Sequence, residues 1–439
     1  MRIILLTSLC ISTMLLQAQP GAPRALSLAE AMDLAEAQRP SLEALRINVA
    51  VAQEQQTRAA LAWRPSVTLS GDFRLNTQLQ TNILPGEFLN RAEDVAIRFG
   101  TRFSTLAGVE VEQPLYNPAI RADRQLAANQ TLSDELALGK ASADVRLGAG
   151  EAYYDLVFRQ ESYRLSEAAA VRARQLLQEG EESFRSGNLL PAELERLRLD
   201  LRNAETSLRN DARSLSRSRA YLLAQLGLPA SEALALTDSL PGLLNGYRPA
   251  DTLADPASGR IELRQEQARL ARHELTYEKY RRSNLPVVSL YGNLSLQQLT
   301  NDAPLFDADS WFSFSYVGVR ASVPLYNAVR RSQLREYELR MAGSRSSMSQ
   351  LELDIRSEWT AAQADWRNAR ETLLQSRENL RVAHQLLDAD RVRFQQGQAT
   401  FATVSNAVYA LQQARNTLME SIYNFLVADL RLRKAGGMR

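Results

Sequence analysis

His273 and His384 are the only imidazoles in the sequence, and Cys10 is its only thiol. A zinc protease site needs two histidines one helical turn apart with a glutamate beside the first; His273 opens HELTY, which lacks the second. Neither a G-x-S-x-G nucleophile turn nor a glycine-rich phosphate loop occurs. Both histidines read as solvated residues on polar helix faces, so the expectation is no enzyme, no metal and no cofactor. Cys10 lies in IILLTSLCISTMLL, an apolar run behind Arg2 that ends near Leu16-Gln17-Ala18, which predicts a signal peptide over residues 1–18. The exported chain would then hold no cysteine, which excludes thiol catalysis and suits an oxidising compartment. No other apolar run reaches the length of a transmembrane helix. With 52 Lys and Arg against 50 Asp and Glu, the charge is nearly balanced and points to no nucleic-acid partner.

The residues with positional chemistry are instead prolines, tyrosines and asparagines. Pro114-Leu-Tyr116-Asn117 recurs as Pro324-Leu-Tyr326-Asn327, 210 residues later. Proline lacks a backbone donor and disfavours helix in the residue before it, so Pro114 and Pro324 are expected to end strands. The tyrosines are amphipathic and suit a membrane–water boundary. Asn117 and Asn327 are expected to cap helices, with Pro118 at the favoured first helical position. The motif therefore predicts a strand-to-helix junction, written twice.

Further matches fall at the same offset. Phe184-x-x-Gly187 corresponds to Phe394-x-x-Gly397. The apolar series Leu194, Leu197, Leu201, Ala204, Leu208 and Leu215 corresponds to Val404, Ala407, Leu411, Ala414, Leu418 and Phe425 without a gap. An internal two-fold repeat follows. Between each junction and its glycine lie about 70 proline-free residues rich in Ala, Leu, Arg, Glu and Gln, a helical rod of roughly 100 Å at ~1.5 Å per residue. Glycine accepts the left-handed conformation of a helix C-terminus, so Gly187 and Gly397 mark the reversals. The apolar series after each glycine steps by 3 and 4, as in a coiled coil. Each copy is expected to be a long antiparallel hairpin.

Before each junction the period changes to two. Val67, Leu69, Gly71, Phe73 and Leu75 alternate with Thr68, Ser70, Asp72, Arg74 and Asn76. Val288, Leu290, Gly292, Leu294 and Leu296 repeat the pattern, and returning strands carry Val109 and Val111, then Val317, Val319, Ala321 and Val323. The aromatics of 311–316 fall on both faces and have no assignable orientation. Amphipathic strands of ~10 residues suit a transmembrane β-barrel, but barrels begin at about eight strands and open edges cannot face lipid. Four strands per chain must therefore be pooled between copies.

These features together resemble the TolC-like outer membrane efflux proteins across nearly the whole chain. The likeness includes an N-terminal helix in LSLAEAMDLAEAQRPSLEALR, with Ser27 and Glu30 as a capping box. It implies a mixed α and β membrane protein: a homotrimer whose helical hairpins form a periplasmic helical barrel and whose strands close a twelve-stranded barrel in the bacterial outer membrane. The expected parts are residues 19–230 (helix, strand pair about 64–116, hairpin about 117–227), a linker over 231–260, and residues 261–439 (helix, strand pair about 285–326, hairpin about 327–435). The implied role is a passive exit duct for efflux or type I secretion, contacting outer membrane lipid. Its helical tips, marked by Phe184, Gly187, Phe394 and Gly397, would dock a periplasmic adaptor joined to an inner-membrane transporter. The family also places an acidic constriction six and nine residues after the second glycine. Those positions are Thr403 and Asn406, so the acidic ring is missing; the first-copy equivalents, Glu193 and Arg196, are free to pair with each other or with neighbours. The alternatives are a periplasmic adaptor, which would have one hairpin between β modules, and a purely structural coiled coil, which would not need alternating strands.

Overall fold

The computed structural model describes residues 24–85, 87, 93–187, 189–247, 259–302 and 311–437. The expected signal peptide lies outside them. The chain divides into two compact units. One comprises the described residues of Met1–Arg46, Ala137–Leu263 and Leu351–Arg439; the other is drawn from Ile47–Leu136 and Arg264–Gln350.

Two helices of 68 residues dominate, α3 (Pro118–Arg185) and α7 (Ala328–Gln395). Each is followed across a short turn by a shorter helix, α4 (Pro191–Leu226) or α8 (Phe401–Ala435). The N-terminal helix differs from expectation because it is two helices, α1 (Leu28–Gln38) and α2 (Pro40–Leu61). Arg39 separates them at φ −69° and ψ 121°, the extended conformation that a following proline imposes. Ser27 and Glu30 form the expected capping box on α1, with the Ser27 N–H donating to Glu30 Oε2 at 2.8 Å.

In the unit built from Met1–Arg46, Ala137–Leu263 and Leu351–Arg439, one core joins α1 to the long helices and the helices that follow them. Ala31 and Leu34 of α1 meet Ala149, Tyr153 and Val157 of α3, Leu222 and Leu226 of α4, and Ile422 and Phe425 of α8. The linker supplies a strand and a short helix: β6 (Leu234–Leu236) pairs in parallel with β1 (Arg24–Leu26), and α5 (Leu240–Asn245) buries Leu240. Asp238 locks this join by accepting from Tyr153 Oη at 2.7 Å and from the Leu28 N–H at 3.1 Å. Burial, then the Asp238 carboxylate, holds the Tyr153 phenol far above its ordinary pKa, so it stays a donor. Arg260 fixes the far end of α8: it donates to the Ala435 carbonyl at 3.1 Å while pairing with Glu358 at 2.8 Å and Glu262 at 3.0 Å.

The second unit carries an antiparallel sheet in the order β2 (Ser66–Leu75), β5 (Phe103–Tyr116), β7 (Val287–Thr300), β8 (Trp311–Ser322). A small hairpin, β3 (Thr81–Leu84) with β4 (Val95–Arg98), interrupts the first pair and was not expected. Helix α6 (Ile261–Arg281) packs Tyr280 against Tyr337 at 5.6 Å between ring centres, and its Lys279 pairs with Asp123 of α3. Among the described residues no helix is long and apolar enough to cross a membrane.

Candidate functional site

Cross-strand partners share one face of a sheet, so the register sorts every side chain. Leu69 lies opposite Val109, Val109 opposite Leu294, and Leu290 opposite Val319. The four apolar series read from the sequence thus combine on one face. That face is open, with Leu69 exposed to 78% and Val317 to 79%. The other face collects Thr68, Glu110, Asn293 and their neighbours. Both edge strands, β2 and β8, have one partner each in the sheet. This is an incomplete sheet with an unburied apolar surface.

The two junctions differ in detail. Pro114 does not end its strand: β5 continues to Tyr116, with Pro114 opposite Ser289 and a register shift before Tyr116. A bulge accommodates the missing donor there. Pro324 does not end a strand either, because β8 stops at Ser322 and residues 323–327 are irregular. Tyr326 is 87% exposed. Asn117 Oδ1 accepts from the Ala119 N–H at 3.0 Å, and Asn327 Oδ1 accepts from the Val329 N–H at 3.0 Å.

At the two turns Gly187 has φ 76° and Gly397 has φ 72°, the left-handed region that disfavours a side chain. Their N–H groups donate to the Phe184 and Phe394 carbonyls at 3.0 and 2.9 Å. At the second turn the Gln398 N–H also donates to the Arg393 carbonyl at 2.8 Å, a Schellman-type end. Phe184 and Phe394 are both exposed. Beyond the second turn Val404, Ala407 and Leu411 pack with Ala383 and Leu387 as a separate small core.

The candidate gate residues take individual roles. Glu193 turns back to accept from the Leu190 N–H at 3.3 Å at the start of α4. Thr403 shares a hydroxyl bond of 3.0 Å with Thr400, whose side chain also caps α8. Arg196 donates to Asn406 Oδ1 at 3.2 Å. The structure therefore brings Arg196 and Asn406 together, which position-by-position reading of the sequence missed although they are exact counterparts at the repeat offset. His273 lies beside Tyr337 at 6.0 Å, and partial burial followed by Arg272 and Arg340 depresses its pKa. It is therefore mainly uncharged near neutral pH. Among the described residues no group of three or more His, Cys, Asp or Glu side chains is placed to hold a metal.

The fold is that of outer membrane channels. It matches CusC with a TM-score of 0.75 at 16% identity, over 94% of this chain and 92% of that one. VceC of Vibrio cholerae gives 0.74 at 16% identity over 94% and 96%, and the CmeC outer membrane channel of Campylobacter jejuni gives 0.74 at 14% over 93% and 85%. Residues 257–438 match the family model of the outer membrane efflux proteins, and the resemblance read from the sequence holds. A comparison with curated protein sequences finds no match.

Proposed function

We propose that this chain is one third of a passive exit duct in the bacterial outer membrane, extending into the periplasm. The observation that carries the reading is the four-stranded sheet, with its exposed apolar face and two open edges. In lipid an open edge would leave backbone donors and acceptors unsatisfied at several kcal/mol each, so the edges must pair with other copies. Three chains supply twelve strands, within the range of known barrels. The apolar face then meets acyl chains, the polar face lines the lumen, and the paired hairpins build a periplasmic tunnel.

The tips dock a periplasmic adaptor through Phe184, Phe394 and the turns at Gly187 and Gly397, and the adaptor joins the duct to an inner-membrane transporter. The tunnel mouth is gated by packing of the second hairpin and by the polar link from Arg196 to Asn406. Such a duct needs no cofactor and transforms nothing. An adaptor would bury the apolar face of a soluble β module, whereas here that face is open. The test is extraction from outer membranes into mild detergent, followed by mass measurement and single-channel recording. A trimer that conducts is expected; a folded, monodisperse monomer would overturn the reading.

A further inference from the structure

The polar face of the sheet carries an anomaly on one strand. Reading across from β2 to β8, its rows are Thr68, Glu110, Asn293, Tyr316; then Ser70, Gly108, Ser295, Phe314; then Asp72, Leu106, Gln297, Phe312. Strands β2, β5 and β7 present mostly small or polar groups there, while β8 presents three aromatic rings in succession. Alternate residues of a strand stand about 7 Å apart, so the rings form a continuous strip. Phe312, Phe314 and Tyr316 are 61%, 41% and 49% exposed.

A fourth ring extends the strip. Tyr291 meets Tyr316 edge to face at 5.9 Å, and the Arg320 guanidinium lies 4.6 Å from the centre of the Tyr291 ring. Gly318 makes room for it, because a Cβ at that position would come within 2.8 Å of Tyr291 Oη. In a barrel closed between copies, β8 pairs with β2 of the next chain, which offers Ser66, Thr68, Ser70, Asp72 and Arg74 on this face. None of these is large and apolar enough to cover the rings. The charges on this face are divided: Arg320 sits on Tyr291 at one end of the strip, while Glu110 is exposed in the Tyr316 row, about 10 Å away across two strand spacings. Asp72, by contrast, is paired with Arg74 at 3.3 Å.

We infer that the β8 strip is a lumenal binding track for planar aromatic cations. The ring faces supply stacking and cation–π attraction, and Glu110 supplies the opposite charge. The inference rests on the duct reading, since it needs this face to line an aqueous lumen. A solute leaving the tunnel would pause on the strip rather than diffuse freely through the barrel.

Single-channel recording in a planar bilayer with proflavine as the probe tests it. The unmodified trimer should show voltage-dependent block, and naphthalene-sulfonate of similar size should block less. Replacing Phe312, Phe314 and Tyr316 by serine, the residue already at 313 and 315, should raise the half-blocking proflavine concentration about tenfold while ion conductance persists, as expected for lost ring stacking. Glu110→Gln should weaken block by proflavine and leave the naphthalene-sulfonate response unchanged. Equal block of the parent and the triple-serine variant overturns the track, as does absence of block in a conducting parent. Absence of any conductance removes the duct reading and this inference with it, so the two failures are distinguishable.

Discussion

The two hairpins share a skeleton and differ in surface. Both long helices have 68 residues, both end at a glycine with positive φ, and both begin at an asparagine cap. Yet Leu374, Val382 and Val392 of α7 are exposed, while their counterparts in α3 are Arg164, Arg172 and Glu182. Leu386 of α7 is 55% exposed, whereas its counterpart Leu176 is half-buried. Arg146 of α3 is clasped by Asp33 and Glu36 of α1 at 2.6 and 2.9 Å; its counterpart Arg356 is exposed. One backbone plan therefore serves two neighbourhoods. The second hairpin is left with aliphatic side chains exposed where the first has charged or half-buried ones, and on the duct reading those side chains face a neighbouring copy.

The largest expected effect tests those side chains. Leu374→Glu with Leu386→Glu should abolish the oligomer, because each lost leucine removes about 1.5–3 kcal/mol of burial and adds a charge to the interface. Arg164→Glu in the first hairpin should leave the oligomer intact. Cross-linking in detergent reads both; equal loss in the two hairpins would erase the contrast.

Next come the turns. A Cβ at Gly187 or Gly397 meets nothing within 4 Å, so a substitution there costs only backbone strain, about 1–2 kcal/mol for an ordinary residue in the left-handed region. Gly187→Ala and Gly397→Ala should lower the melting temperature equally. The β-branched Gly397→Val should weaken adaptor cross-linking and efflux while leaving the sheet intact. Unchanged cross-linking and efflux would remove the second turn from the docking surface.

A smaller effect separates the hairpins at the mouth. Thr403 and Asn406 contribute no fixed negative charge, so multivalent cations should hardly alter conductance. Thr403→Asp with Asn406→Asp would place six carboxylates in a trimer and create such a block. If the unmodified channel is blocked as strongly as this variant, the gate lies elsewhere, with Glu193 the first suspect.

The smallest effect depends on pH. The Ser142 hydroxyl, followed by Arg146, holds the Glu36 carboxyl below the usual carboxylate range. A depressed folded-state pKa contributes stability that is present above the unfolded value and is lost as pH falls through the folded one. Ser142→Ala should therefore lower the melting temperature at pH 7, and the difference from the parent should vanish as the solution is acidified below the folded pKa. A difference that persists there would point to packing rather than charge.

Residues whose neighbours are set by local period were legible in the sequence: Val67 to Leu75, the seam through Val404, Ala407 and Leu411, and the reversals at Gly187 and Gly397. The break at Arg39 had its signal in Pro40, but the helical composition on both sides masked it. Strands β1 and β6 have three residues each, too short to show any period. The orientation of Phe312, Phe314 and Tyr316 required the pairing of β8 with β7, because alternating serines and aromatics do not say which face is apolar. Pro114 was misread because a bulge lets a strand continue past a residue that cannot donate.

The contact between Arg196 and Asn406 has one more consequence. Because each of these residues lies nine positions beyond the glycine of its own hairpin, their meeting requires the two hairpins to keep the same spacing. Losing one residue from either would turn every later side chain by about 100° and slide that turn by ~1.5 Å against the other. Changes in rod length should therefore survive descent only in matched pairs, or as sevens that span almost two full helical turns. Comparable ducts of different reach should differ by such increments, with the same number gained or lost in each copy.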